Sequence, residues 1–202
     1  MIDAVIFDLG GVLIDWNPRY LYRKIFTDNE ERMEYFLTHV ANHQWNEQQD
    51  AGRLFSEAVL ELSARHPEFK NEILAYHHRW DEMLKGPIHE TVQVLKELKE
   101  SGVALYALTN WSAETFPVAQ KRFEFLSWFK DVGLSGAEKM KKPDPRFYQL
   151  LLKRNSLKPE RCLFIDDVQV NVEGAQAVGL QSVQFQSAQK LRLDLVARKI
   201  LS

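Results

Sequence analysis

The run Val5-Ile6-Phe7-Asp8-Leu9-Gly10-Gly11 ends an apolar, strand-like segment on one carboxylate and follows it almost at once with two glycines. An acid at the carboxyl end of a strand sits where open α/β sheets bind their ligands. Gly10 and Gly11 let the chain turn sharply and bring backbone N–H groups close to an anion, which makes Gly11 a candidate substrate-binding residue. Two more apolar runs end on polar groups in the same way: Thr109-Asn110 closes one, and Asp166-Asp167 closes another. The segment Lys141-Lys142-Pro143-Asp144-Pro145 stands ahead of a helical pattern. In a parallel sheet these groups share one edge, so they can meet in one cleft. Three crowded carboxylates repel one another, and a divalent cation such as Mg²⁺ relieves this through oxygen ligands. A cation beside a lysine and a hydroxyl suits an anionic phosphoryl group and leaves Asp8 free to act as a nucleophile.

The elements that must position these groups can be read from periodicity. Strand-like runs lie at Ala4–Phe7, Val103–Leu108, Val132–Leu134, Leu163–Ile165 and Ser182–Phe185. Helical patterns fall between most of them, at Thr91–Lys99, Phe147–Lys153 and Val170–Val178, the last with small residues suited to close packing and Gly179 placed to end it. This alternation predicts an α/β fold with a parallel, Rossmann-like sheet. Residues 16–86 differ, being rich in polar and aromatic residues with no clear strand run. Amphipathic patterns there at Arg19–Phe26, Glu30–Val40, Leu54–Arg65 and Ile73–Leu84 predict an all-helical insertion after the first strand, with Pro18 starting its first helix. Gly86-Pro87 is read as the turn back to the core. The expected organisation is a core of residues 1–15 and 87–202 carrying a helical cap of residues 16–86.

With 202 residues, 45% hydrophobic and 27% charged, the composition is that of a globular chain, long enough for one large domain or a core with an insertion. A net charge of -2 gives no basic footprint for nucleic acid. No apolar segment approaches the length of a membrane span. The lone cysteine, Cys162, cannot form an internal disulfide and lies in an apolar run, so it reads as a buried structural thiol in a reducing compartment. With no basic leader at the N-terminus, the expected location is the cytoplasm. Monomer and homodimer both remain open.

The chain resembles the haloacid dehalogenase superfamily, in its subfamily IA branch of small phosphatases with a helical (C1-type) cap. The likeness includes sugar-1-phosphate phosphatases and the phosphatase domain of soluble epoxide hydrolase. F-D-L-G-G-V-L resembles the first motif, L-T-N the second, K-K-P-D-P-R-F-Y the third and F-I-D-D-V-Q-V-N-V-E-G-A the fourth, and the resemblance runs nearly end to end. It implies a Mg²⁺-dependent phosphatase acting on a small phosphorylated metabolite. Asp8 would attack phosphorus. Asp8, the Gly10 carbonyl and Asp166 or Asp167 would hold the metal. Thr109 would bind the phosphoryl group with the Asn110 amide nearby, and Lys142 rather than Lys141 would balance its charge. The chain departs from the family at Gly10, where most members carry an acid–base Asp. Asp15 is the nearest replacement in sequence, and His43, Glu47 and Asp50 are candidates from the cap; a leaving group that needs little protonation is the other solution. The superfamily's dehalogenases also lack that Asp, but they use no metal and do not keep a carboxylate pair like Asp166-Asp167. A phospho-ligand-binding protein with little turnover is the remaining alternative.

Other polar residues have structural readings. Asp144 reads as turn chemistry and Asn171 as a residue that stabilises the fourth loop. His39 and His43 have helical spacing but no evident third metal ligand, and His77-His78 would face different sides of a helix. The stretch from His43 to Gly52 is read as a polar loop facing the cleft. In it, Trp45 is either an aromatic wall for substrate or an anchor for cap packing. Trp16, Asn17 and Trp111 flank the motifs and are placed to line the same cleft.

Overall fold

Short strands, fully buried at the centre of the sheet, alternate with amphipathic helices in a computed structural model that describes residues 2–27 and 29–202. In chain order come β1 (Ala4–Phe7), β2 (Ile14–Trp16), α1 (Arg19–Phe26), α2 (Glu30–Tyr35), α3 (His43–Asp50), α4 (Phe55–Arg65), α5 (Lys70–His78), β3 (Leu84–Pro87) and α6 (His89–Glu100). They are followed by β4 (Ala104–Thr109), α7 (Phe116–Arg122), β5 (Val132–Leu134), α8 (Ser135–Glu138), α9 (Pro145–Arg154), β6 (Cys162–Asp166), α10 (Gln169–Ala177), β7 (Gln181–Gln184) and α11 (Ala188–Ala197). No described helix is long and apolar enough to cross a membrane.

Five strands pair in parallel in the order β5-β4-β1-β6-β7. Their side chains divide by the two-residue period of a strand. Val5, Phe7, Leu105, Ala107, Leu163 and Ile165 face a core shared with Leu95 and Leu98 of α6 and Leu191 and Leu195 of α11. Ile6, Tyr106, Leu108, Cys162 and Phe164 face the opposite core, with Phe147 and Leu151 of α9. Helices therefore cover both faces, as an all-parallel sheet requires. Because β1 is flanked by β4 on one side and β6 on the other, the strand order reverses there, and a crevice opens beyond the strand ends.

The excursion between β1 and β4 is longer and more varied than periodicity alone indicates. β2 and β3 form an antiparallel ribbon, Ile14 opposite Pro87 and Asp15 opposite Gly86, which carries the chain out and back. Gly86-Pro87, expected as a turn, is thus the end of a strand. Pro87 is tolerated there because the ribbon has only two strands and needs no further N–H on its outer side. The pattern at Ile73–Leu84 divides into α5 and a 3₁₀ turn at Trp80–Met83. That at Glu30–Val40 ends in a π turn, Phe36–Val40, closed by the Ala41 N–H donating to the Phe36 carbonyl. The expected polar loop from His43 is helix α3, started by Asn42, whose side chain accepts the Trp45 N–H at 2.9 Å. Its sequence is polar on almost every face, which hides the helical period.

One close contact ties the core helices to the loop that carries Lys142. A Cβ at Gly174 in α10 would stand 2.9 Å from the Pro143 Cβ and 3.0 Å from both the Pro143 carbonyl oxygen and the Tyr148 hydroxyl. Alanine normally stabilises a helix interior by ~1 kcal/mol over glycine, but overpacking costs ~1–3 kcal/mol. Gly174→Ala is therefore expected to lower the thermal midpoint. A midpoint equal to or above that of the parent protein would show that the contact relaxes freely.

Candidate active site

The register of β1 against β6 pairs Phe7 with Ile165, so the next residues, Asp8 and Asp166, leave adjacent strands side by side. The Asp8 N–H donates to the Ile165 carbonyl at 2.8 Å and continues the ladder one step. Both carboxylates are buried, Asp166 completely. Lys142, only 2% exposed, reaches between them: its Nζ lies 2.9 Å from Asp8 Oδ1 and 2.7 Å from Asp166 Oδ2. Burial pushes the Asp8 carboxyl up to about 7, with Lys142 opposing and Asp166 reinforcing the rise. Burial also works against the Lys142 charge, but Asp8 and Asp166 outweigh it and hold the ammonium above its ordinary value.

Each partner is fixed in turn. The Asn110 amide brackets Lys142, donating to its carbonyl at 3.0 Å and accepting its N–H at 2.8 Å. Asn110, expected beside the phosphoryl group, thus first sets the position of the lysine. Asp166 accepts from the Val168 N–H at 2.8 Å and from the Asn171 amide at 3.1 and 3.2 Å. This is the loop-stabilising place expected for Asn171. Thr109, buried at the end of β4, lines the cleft with Asp8, Gly10, Lys142 and Asp167. Gly11 lines it too, but its N–H donates to the Ile14 carbonyl at 3.0 Å and is not left for an anion. Its backbone is left-handed, and a Cβ there would stand 2.5 Å from Asp167 Oδ2, so glycine is what admits the third carboxylate.

Asp8, Asp166 and Asp167 each offer an oxygen within 4.8 Å of the others. Lys142 offsets one of these charges, and burial together with Asp166 raises the Asp167 carboxyl. An all-oxygen cluster with surplus negative charge fits a hard divalent cation. Asp166 is engaged by Lys142, Val168 and Asn171, whereas Asp167 lines the cleft, which makes Asp167 the carboxylate better placed to meet a cation.

The opposite wall comes from α3. Glu47 binds Lys141 at 3.0 Å, so the two adjacent lysines point to different carboxylates. Asp50 lines the cleft and also an inner pocket walled by Gly10, Trp16, Asn46, Trp80, Asn110 and Trp111. Trp80 has no signal in the sequence, whereas Asn46 lies in the stretch expected to face the cleft. The spacing of Asn46 and Asp50 is a helical i, i+4 pair, but it carries meaning only once the segment is known to be a helix.

Several expected site residues lie elsewhere. Asp15, on the ribbon, lines neither pocket; the Tyr20 hydroxyl donates to it at 2.9 Å and Lys85 lies 3.7 Å away. The reason is the strand alternation of β2, in which Trp16 turns to the cleft and its neighbour turns away. Trp45 lines neither pocket and is packed edge-on against Tyr76 at 4.9 Å, as an anchor of the helical layer. His43 does line the cleft, 82% exposed beside Glu47, but His39 belongs to the π turn and contacts Thr38, so their helical spacing brings no ligand pair together. The single described cluster with metal-binding potential is that of Asp8, Asp166 and Asp167.

Comparison with known proteins identifies the family. The chain is 32% identical over 178 residues to a sesquiterpene phosphatase of Aspergillus oryzae, covering 88% of this chain and 86% of the relative. It is 25% identical to a phosphorylated carbohydrates phosphatase of Thermotoga maritima, covering 90% and 84%. Among solved structures, a magnesium complex of a family enzyme from Bacteroides thetaiotaomicron superposes with a TM-score of 0.69 at 22% identity, covering 92% of this chain and 93% of that one. Residues 2–179 match the haloacid dehalogenase-like hydrolase family, and the chain belongs to that family.

Proposed function

We propose that this hydrolase of phosphate esters removes phosphate from small monoesters with Mg²⁺, through an aspartyl-phosphate formed on Asp8. The observation that carries this reading is the buried Asp8–Lys142–Asp166 cluster with Asp167 open beside it. Asp8, the Gly10 carbonyl and Asp167 would hold the cation. When bound, it neutralises the acids and draws charge from the phosphoryl oxygens. The Asp8 carboxylate forms its bond to phosphorus as the ester P–O bond breaks; water then attacks phosphorus and frees Asp8 and inorganic phosphate. The Thr109 hydroxyl donates to the phosphoryl group, and Lys142 holds Asp8 in line and balances the transferred charge. A dehalogenase would have no use for the surplus carboxylate at Asp167, which favours phosphoryl transfer.

Residues 16–86 are read as a cap over the core of residues 1–15 and 87–202, with α3 facing the catalytic acids. One relative is named a sesquiterpene phosphatase and another a phosphorylated carbohydrates phosphatase. Both names support a phosphate ester of an organic alcohol, which includes the sugar phosphates, as the substrate class. The lone Cys162 is buried, which fits a cytoplasmic enzyme.

A panel of phosphorylated metabolites with Mg²⁺ tests the reading. Asp8→Asn is expected to lower turnover by ~10³-fold or more while the thermal midpoint shows a folded protein. Retained turnover in that variant would remove Asp8 as the nucleophile. Chelation with EDTA is expected to abolish activity, and added Mg²⁺ to restore it; activity indifferent to EDTA would contradict the metal site. Asp15→Asn, remote from the cleft, is expected to keep kcat/KM within a few-fold.

A further inference from the structure

Gly10 raises a chemical question that the Asp8 cluster does not answer. Expulsion of an unactivated alkoxide needs a proton, and a positioned acid is worth ~10²–10⁴-fold. A Cβ at Gly10 would meet nothing within 4 Å, and Gly10 borders both the cleft and the inner pocket. The space left without a side chain is thus continuous with that pocket.

Resting on the phosphatase reading above, we infer that Asp50, carried over the cleft by α3, is the acid that protonates the departing alcohol oxygen in the pocket formed by Trp16, Trp80 and Trp111. Among the described carboxylates, Asp50 is the one that lines both the cleft and the inner pocket. Glu47 is engaged by Lys141 and lines only the cleft. Asp50 is held in place by a chain of hydrogen bonds. The Tyr76 hydroxyl donates to Asn46 Oδ1 at 3.0 Å, which turns the Asn46 amide to donate to Asp50 Oδ2 at 3.0 Å. Below it, the Ser135 hydroxyl donates to the Asp50 carbonyl at 2.5 Å and fixes the end of α3 to the core.

Asp50 is also suited to carrying a proton near neutral pH. Burial pushes its carboxyl up to about 7; the Ser112 N–H opposes this, Glu47 reinforces it and Lys141 opposes it. The other titratable group against it, Tyr76, stays neutral, held far above its ordinary value by burial.

In the first step, the Asp8–phosphorus bond forms, the ester P–O bond breaks and the Asp50 proton passes to the departing oxygen, giving free alcohol and an Asp50 carboxylate. In the second, water attacks phosphorus, its proton returns to Asp50 and the Asp8–phosphorus bond breaks. The substrate class is a phosphate of an unactivated alcohol with an apolar face to lie on the tryptophans.

The test compares kcat/KM, which reports steps up to alcohol release, for p-nitrophenyl phosphate and benzyl phosphate. p-Nitrophenolate leaves without help, whereas benzyl alkoxide does not. Asp50→Asn is expected to lose ~10²–10⁴-fold on benzyl phosphate and at least ~10-fold less on p-nitrophenyl phosphate, with Asp50→Glu recovering part of the loss. Equal losses on both esters, or none on benzyl phosphate, would overturn the assignment. The unmodified enzyme gives a second measurement. Because the acid must be protonated, kcat/KM for benzyl phosphate should fall as pH rises through about 7, relative to p-nitrophenyl phosphate. A pH-independent ratio would also overturn it. If neither ester shows Asp8-dependent hydrolysis, the phosphatase reading itself fails, whereas Asp8-dependent turnover with a flat Asp50 response refutes only this inference.

Discussion

Two carboxylates at the ends of neighbouring parallel strands cannot both stay charged when buried together unless a cation stands between them, and Lys142 is that cation. Its ammonium touches both Asp8 and Asp166, with little access to water. A buried charge is tolerated only when it is closely paired and fully hydrogen-bonded, and much of the surrounding structure serves that condition. Asn110 grips the lysine backbone from both sides, while Val168 and Asn171 satisfy Asp166. The tight seat of α10 against Pro143 limits movement of the loop that delivers the lysine. One ammonium cannot balance three acids, and the remaining charge lies on the side of Asp167, which lines the cleft.

The molecule divides its labour between two layers. In the proposed mechanism the sheet supplies the groups that act on phosphorus, because the strand order reverses at β1 and brings three strand ends to one crevice. The helical layer supplies the opposite wall of the cleft and much of the inner pocket. Small, specific contacts join the layers: Lys141 with Glu47, Ser135 with Asp50, and the Phe55 N–H donating to Glu114 at 2.7 Å. The ion pair among them is partly exposed and contributes little alone, so shape at the end of α3 matters as much as charge.

The core was legible in the sequence because its strands are short apolar runs and the polar residues that end them are the site. β1 and β5 begin and end where the pattern placed them, β4 and β7 shift by a residue, and β6 is longer by one residue at each end. The helical layer was less legible for physical reasons. α3 has polar residues on most of its surface and depends on the Asn42 cap and the burial of Trp45, neither of which creates a period. Asp15 looked well placed by its closeness to Asp8 in the chain, but strand alternation in β2 turns it away, and β2 itself pairs with a strand about seventy residues later. Asp50 was one of several acids in a polar stretch until the helix selected a face for it. Gly11 was anticipated as a turn former whose amide would meet substrate; the turn is real, but the amide is spent on Ile14.

The missing side chain at Gly10 has a consequence for timing. An enzyme whose nucleophile and acid share one loop carries both on the same layer. Here the only carboxylate reaching the inner pocket among the described residues is mounted on the helical layer, so in the proposed mechanism both chemical steps require that layer to be seated. In that mechanism a phosphoryl group on Asp8 lacks the partner that activates water whenever Asp50 is not over the cleft. With glycine at position 10, the proposed mechanism makes the lifetime of its covalent intermediate depend on the seating of the helical layer.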